Sequence, residues 1–308
     1  MTKIKVGLIY GGKSFEHEVS KMTAESVLKN IDKDLYEVVS IYIDKKGKMD
    51  ERLLQGIDIA FLAVHGPNCE DGKLQSFLEA KGIKYTGSGI IASKLNMDKI
   101  GMHEAFKRAE LPIVKFIGFG KTHENSEIIK KVEAEIGYPC FIKPNNAGSS
   151  IGISRARNIH ELRQGILKAY NNDEKIIVEK AVEGVFDVEL GILGNDDLLV
   201  SEPAKVVHED DFYTYYAKYN NEKTTIIFDI DPDTCKLIKT MAEKAFKSTG
   251  CRGYARVDFF LDQKGTVYIN EINTLPGFTA TSMYPKLMAN SGINYRQLIT
   301  KIIKLGLE

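Results

Sequence analysis

The sequence predicts a mixed α/β (α+β) fold of three consecutive units, the first a parallel sheet with helices on both faces. Three observations carry that expectation. Apolar, β-branched runs at 4–10 (IKVGLIY), 36–43 (YEVVSIYI) and 57–64 (IDIAFLAV) are separated by helix-like stretches, the alternation of a doubly covered parallel sheet. Later strand-like runs at 253–261 and 267–272 are joined by the short, turn-forming LDQKGT, which makes that pair antiparallel. The chain has 308 residues, and at roughly 100–200 residues per domain this allows two or three units.

In the first unit, residues 1–94, Val19, Met22, Val27 and Ile31 recur at near-helical spacing. A second amphipathic helix at 70–81 carries Leu74, Phe77 and Leu78 on one face. The second unit, 95–183, opens with a helix after Asp98, an N-cap residue type. It continues with strands near 112–119, 140–144, 151–155 and 175–181 and helices near 125–136 and 158–170. The third unit, 184–308, holds strands near 186–194, 198–207, 253–261 and 267–272 and helices near 233–248 and 294–305. Residues 208–224 (HEDDFYTYYAKYNNEKT) are polar and aromatic without a period, the pattern of a long loop that covers an active site.

Composition excludes several classes. Lys plus Arg and Asp plus Glu both number 42, so no global charge favours nucleic acid or a membrane surface. Cys69, Cys140, Cys235 and Cys251 are far apart and none are at CxxC spacing, which points to reduced thiols in the cytoplasm rather than a zinc site or disulfide framework. The N-terminal MTKIKVGLIYGGK moves directly into a strand-like run and lacks signal-peptide features. No segment reaches the roughly 20 apolar residues of a membrane span.

Residues 7–14, GLIYGGKS, match the phosphate-loop pattern GxxxxGK[ST] letter for letter. A true phosphate loop needs its strand to end before the first glycine. Here Leu8, Ile9 and Tyr10 continue the apolar run. Gly11 and Gly12 are better read as the turn at the carboxyl end of the first strand, where open α/β sheets collect ligands. Glu16 and His17 then face either a cleft or solvent.

The densest chemistry lies in 253–277, GYARVDFFLDQKGTVYINEINTLPG. Arg256 and Asp258 are two apart on one strand and Glu271 and Asn273 two apart on the next, so each pair shares a face. Two carboxylates and an amide oxygen suit magnesium, which takes oxygen ligands and bridges to phosphates, and Arg256 could stabilise developing negative charge. Solvated charges on an edge hairpin would show the same letters, but the flanking runs are apolar, and buried charges need partners or a metal. In CFIKPNNAGSSIGI, 140–153, Lys143 ends an apolar strand and Gly148, Ser149, Ser150 and Gly152 form a loop able to bring N–H groups to phosphate. Glu179 and Lys180 follow an apolar strand, either solvated or at a hinge whose backbone reads an adenine edge.

With these residues in place the chain resembles the D-alanine–D-alanine ligases nearly end to end. The matching segments are GGKSFEHEVS at 11–20, AVHGPNCEDGKLQ at 63–75, YTGSGIIASKLNMDK at 85–99, IKPNNAGSSIGIS at 142–154, VEKAVEG at 178–184, FYTYYAKY at 212–219, YARVDFFL at 254–261 and NEINTLPGFTATSMYP at 270–285. The resemblance implies the ATP-grasp fold, a Rossmann-like N-terminal unit followed by central and C-terminal units with ATP between the last two. It implies that Lys99, Lys143 and the loop residue Lys218 bind ATP phosphates, that Glu179, Lys180 and Val182 bind adenine, and that Asp258, Glu271 and Asn273 bind two magnesium (or manganese) ions. Glu16 would hold the first D-alanine and link through Ser149 to Tyr219. Arg256 and the Gly277 N–H would form the oxyanion site, Ser282 and the Met283 backbone would take the second D-alanine's carboxylate, and His65 would lie beside the substrates. A homodimer is implied as well.

Three departures matter. HGPNCEDG has Cys69 where the family has glycine, Tyr216 stands where an acid is common, and an apparent insertion leaves Asp187, or else Glu189, for the ribose. The implied reaction activates one D-alanine as an acyl phosphate, which the amine of the second attacks. The rivals are a D-serine or D-lactate ligase, a phosphate-loop phosphotransferase and a catalytically silent nucleotide-binding regulator. Met283, where arginine would suggest D-serine, and Tyr219 favour D-alanine.

Overall fold

The structure, a computed structural model, describes residues 2–207, 225–279 and 282–308. Its first sheet comprises β1 (Ile4–Gly11), β2 (Tyr36–Ile43), β3 (Ile59–Val64) and β4 (Lys84–Tyr85), all parallel in the order β2-β1-β3-β4. Every residue of β3 is buried, as expected for a strand covered on both faces. Helices α1 (His17–Asn30) and α2 (Lys73–Ala80) connect these strands. β1 runs through Gly7 to Gly11, so the stretch from the first glycine to Gly11, which would have to form the phosphate cradle, lies inside a strand. Gly11 has φ +96°, and a Cβ there would sit 2.1 Å from the Ile43 carbonyl oxygen, so only glycine fits this turn.

On α1 the expected inward residue Met22 is exposed. The inward face uses Ser20 and Thr23 instead. The Ser20 hydroxyl donates to the Ala63 carbonyl at 2.5 Å and accepts from the Gly11 N–H at 2.7 Å. Small polar residues let α1 sit close to the strand ends while satisfying backbone groups that a thioether could not.

Helices α3 (Ile90–Met97) and α4 (Lys99–Arg108) lead into a second, antiparallel sheet. It comprises β5 (Phe116–Gly120), β6 (Cys140–Pro144), β7 (Ser154–Ala156) and β8 (Lys175–Lys180), in the order β5-β8-β6-β7. Helices α5 (Asn125–Glu135) and α6 (Ile159–Tyr170) pack on one apolar face through Ile128, Val132, Leu162 and Ile166.

The third sheet comprises β9 (Phe186–Gly194), β10 (Leu199–Val200), β11 (Ala204–Val207), β12 (Thr225–Ile227), β13 (Gly253–Leu261) and β14 (Val267–Asn273). The order is β12-β11-β9-β13-β14, with β10 also on β9. The single strand expected at 198–207 is broken between β10 and β11, where Pro203 lacks a ladder donor and Ser201 pairs with Gly191 through both backbone and side chain. Helix α7 (Pro232–Ser248) covers one face with Ile238, Met241, Ala245 and Phe246. The other face carries the charged residues.

Two helices close the chain, α8 (Met283–Asn290) and α9 (Tyr295–Leu307). α9 lies against the first sheet as well as against β9 and β13 of the third. Its Leu298, Ile299, Ile302 and Ile303 share a core with Val6, Leu8 and Phe61. A Cβ on Gly306 would come within 2.7 Å of Ile59 Cδ1 and 2.8 Å of the Tyr85 carbonyl oxygen, so glycine sets how closely α9 seats.

Candidate active site

Two adjoining cavities open where the three sheets meet. The larger, about 580 Å³, lies between the second and third sheets. The smaller, about 80 Å³, lies between the carboxyl ends of the first sheet and the third sheet. They share Lys99, Ser149 and Glu271 in their walls.

The third sheet supplies the charged floor. β13 and β14 pair antiparallel with Arg256 opposite Asn273 and Asp258 opposite Glu271, so all four side chains fall on one face. Arg256 donates two hydrogen bonds to Asp258, at 2.7 Å each, and reaches Glu189 on β9 at 3.1 Å. Such bidentate pairing holds the guanidinium plane rigid. Glu271 meets Lys99, the first residue of α4, at 3.2 Å. Among the described residues no group of three or more His, Cys, Asp and Glu gathers as a metal cluster. The candidate donor set is two carboxylates and an amide, which fits magnesium better than zinc because magnesium completes its shell with water and phosphate oxygens.

The larger cavity is lined by Lys99, Lys143, Glu179, Lys180, Val182 and Asp187, the described residues of the expected ATP set. Lys218 and Tyr219 lie outside the described residues. Glu179 is buried, and its carboxylate turns to Lys143 at 2.6 Å and faces His103 at 3.7 Å. Burial opposes its charge, but Lys143 and then His103 outweigh this and hold its pKa below the ordinary carboxylate value. Of the two ribose candidates, Asp187 is half-buried on the cavity wall, whereas Glu189 is buried against Arg256. Lys180 donates to the Tyr138 carbonyl at 2.9 Å.

The smaller cavity is lined by Glu16, His65, Ser149, Arg256, Gly277, Ser282 and Met283. Glu16 caps the start of α1 and accepts from Ser149 Oγ at 2.5 Å, joining the first sheet to the loop after β6. Ser149 and Ser150 hold φ of +50° and +58°. Successive left-handed residues without glycine cost energy and cluster at functional sites. His65 follows β3 and is fixed by Thr23, at 3.0 Å, and by the Leu275 carbonyl, at 3.2 Å. Burial disfavours its charged form, yet Glu70 at 3.7 Å outweighs burial and raises its pKa. Glu70 is itself raised, by burial and then by Glu16. Cys69 causes no distortion in the turn, because the left-handed position is Asn68, at φ +71°. Burial and the neighbouring Glu70 push the Cys69 thiol up to about 12, so it is inert.

Three residues here carried no assignment from sequence. Glu70 was legible only as part of EDG. His103 lies four residues after Lys99 and so shares its helix face. Asn145 follows the strand of Lys143. Their roles depend on which elements meet.

A nucleotide-sized cleft between two antiparallel sheets, beside a small polar cavity at the end of a parallel sheet, defines an enzyme of the ATP-grasp class. Residues 105–304 match the D-ala D-ala ligase C-terminus family, and 5–53 and 48–88 match the D-ala D-ala ligase N-terminus family. The chain belongs to the D-alanine–D-alanine ligase family. It is 38% identical to a D-alanine--D-alanine ligase of Geobacillus thermodenitrificans, covering 99% of this chain and 96% of that one. For the ligase of Geobacillus kaustophilus the identity is 39%, covering 99% and 95%. Among solved structures, the VanG D-Ala:D-Ser ligase of Enterococcus faecalis superposes with a TM-score of 0.89 at 32% identity, covering 99% of this chain and 100% of that one. The Bacillus anthracis D-alanine--D-alanine ligase complexed with ATP gives 0.85 at 29%, covering 99% and 97%.

Proposed function

We propose a division of labour between the two cavities for the reaction this chain catalyses, the ATP-dependent joining of two D-alanine molecules for peptidoglycan precursors. ATP takes the larger cavity, and both amino acids take the smaller. The observation that carries this reading is the shared wall of Lys99, Ser149 and Glu271, through which the two cavities adjoin.

Lys99 and Lys143 bind the phosphates, and Asp187 takes the ribose. Because the Glu179 carboxylate is committed to Lys143, adenine recognition falls to the backbone of 179–182 and to Lys180. Asp258, Glu271 and Asn273 would hold two magnesium (or manganese) ions, which would screen the phosphates and withdraw charge from the γ-phosphoryl group. Glu16 attracts the first D-alanine's ammonium. The carboxylate oxygen of that D-alanine attacks the γ-phosphorus as the bond to ADP breaks, which leaves a D-alanyl phosphate. The second D-alanine's amine, as the free base, then attacks the acyl carbon; the bond from that carbon to the bridging oxygen breaks, phosphate leaves with that oxygen, and the new amide nitrogen loses a proton to the departing phosphate. Arg256 and the Gly277 N–H stabilise the oxyanion. The second D-alanine's carboxylate meets Ser282 and the backbone N–H of Met283 at the start of α8, where a helix N-terminus favours an anion. Lys218 and Tyr219 would complete the enclosure.

Met97 and Met283 line the smaller cavity. Thioethers are weak acceptors and offer a serine hydroxyl little, which supports D-alanine over D-serine as second substrate. The reading also makes the enzyme a cytoplasmic homodimer. Four free thiols accord with a reducing compartment. The test is ADP and phosphate release with D-alanine alone and with D-alanine plus D-serine or D-lactate, the products identified by mass. Preferential formation of a mixed product would overturn the substrate assignment.

A further inference from the structure

The first backbone N–H groups of a helix have no partner within it and must be satisfied from outside. At α4 the partners come from two places. Asp98, the N-cap, accepts from the Gly101 N–H at 2.9 Å. The two donors before it are taken by Asn145, which lies 45 positions later in the chain at the end of β6. The Asn145 backbone carbonyl accepts from the Lys99 N–H at 3.1 Å. Its side-chain oxygen accepts from the Ile100 N–H at 2.9 Å. Its amide nitrogen then donates to Asp98 Oδ1 at 2.9 Å. Asn145 is fully buried, and its own N–H is held by the Lys175 carbonyl on β8 at 3.0 Å.

We infer that Asn145 is a positioning residue for nucleotide binding, a brace that fixes Lys99 at the head of α4 relative to Lys143 at the end of β6. The inference rests on the assignment of both lysines to ATP phosphates. Lys143, in β6, is two residues before Asn145, which directly follows that strand, and Lys99 is bonded to Asn145 through its own backbone. The two cations are thus held by one residue rather than by two separately moving elements. Each lysine also has a carboxylate partner in a different direction, Glu271 for Lys99 and Glu179 for Lys143. Without the brace those pairs would pull the two ammonium groups apart. Because Asn145 occupies the Lys99 and Ile100 N–H groups, the helix N-terminus is closed to phosphate, and the anion must be met by the side chains.

The test is a donor–acceptor exchange. Asn145→Asp keeps the acceptor for Ile100 but sets a carboxylate oxygen against Asp98. It should raise KM for ATP about tenfold, on the scale of one or two lost hydrogen bonds, and leave KM for D-alanine unchanged. Combining it with Asp98→Asn removes the like-charge contact and offers a donor to residue 145, at the cost of the Gly101 cap that shares Asp98 Oδ1, and should return KM for ATP to within about threefold of wild type. Lys99→Ala and Lys143→Ala are measured alongside. If neither lysine variant changes KM for ATP, the phosphate assignment itself is wrong. If both do, but Asn145→Asp does not, or shifts both KM values equally, the brace is refuted. Should Asn145→Asp fail to fold, the exchanged pair decides: a folded double variant with near-normal KM for ATP supports the brace, and one with KM raised tenfold overturns it.

Discussion

Replacing Glu179 by Gln separates two roles that the same side chain could have. If its carboxylate read adenine, the variant would bind ATP more weakly and leave the empty protein almost unchanged. The geometry argues the reverse. Glu179 is buried and 2.6 Å from Lys143, which is itself only 11% exposed at the side chain. Removing one partner of a buried pair strands the other, at about 3–5 kcal/mol. Lys143 borders an open cavity and can recover some hydration, so about 2–3 kcal/mol is expected for the protein without nucleotide, or roughly 3–5 °C in Tm. Bound ATP supplies phosphate oxygens to the stranded ammonium, so the nucleotide-bound variant should lose less. The Tm increase on adding ATP must then be larger in Glu179→Gln than in wild type. The pH dependence has a defined sign. The folded pKa of Glu179 is depressed, so its stabilising contribution is present above the ordinary carboxylate pKa and vanishes as pH falls through the lower, folded value. The stability gap between wild type and variant should therefore be full at pH 7 and shrink in acid. Thermal melts with and without ATP across pH measure this. An unchanged Tm together with a smaller ATP-induced shift would refute the counter-ion role.

Glu271→Gln should abolish ligation while keeping the wild-type melt within a few degrees, since Glu271 lies at the cavity wall between Asp258 and Asn273; near-normal turnover at ordinary magnesium would defeat the metal assignment. Lys13→Ala should leave KM for ATP within about twofold, because residues 7–11 of the phosphate-loop letters belong to β1 and form no cradle and Lys13 itself is exposed beyond the strand, where a lysine contributes little, whereas Lys99→Ala and Lys143→Ala should each raise it clearly. His103 is buried with neither ring nitrogen hydrogen-bonded among the described residues, and burial lowers its pKa. Folding therefore favours the neutral ring, stability falls as pH drops below about 6.5, and His103→Phe should flatten that acidic limb of the Tm-against-pH curve; an unaltered limb would show that the ring does not titrate on unfolding.

Much of the architecture was legible because local pattern and tertiary environment agree. The β13–β14 hairpin was readable from a two-residue period and a short turn, and its register puts Arg256, Asp258, Glu271 and Asn273 on one face. Asp98 was readable as a cap. What escaped were features set by distant packing. α8 has Pro285 in its first turn, a position proline tolerates but that reads as a break. The docking of α9 on the first sheet depends on Gly306 meeting Ile59 and Tyr85, residues with no local link to it. Met22 fits a helical repeat, yet the inward face of α1 is polar because it must bond the strand ends. Glu179 looked like a strand-end acid. Only the pairing of β6 with β8, which sets Phe141 opposite Glu179, makes Lys143 its diagonal neighbour.

These pairings explain how a chain with no net charge can receive a polyanion. Around the cavities the cations are already matched, Lys143 with Glu179, Lys99 with Glu271, and Arg256 with Asp258 and Glu189. A lysine alone in a half-buried wall would be costly and would shed its proton. Paired, it is held in place, but the phosphates must then compete with a carboxylate for each ammonium. Binding becomes an exchange of partners rather than a simple attraction. Each exchange gives back part of the gain, because the released carboxylate needs a new partner. For Glu271 that partner would be a magnesium ion arriving with the nucleotide. For Glu179 the His103 ring stands 3.7 Å away but is not hydrogen-bonded to it among the described residues, so its release is the costlier of the two. The two sides of the site should consequently respond differently to magnesium. Loss of the Lys99 contact should depend on the metal, whereas loss of the Lys143 contact should not, because Glu179 is buried away from the carboxylate pair and keeps its imidazole neighbour in either state.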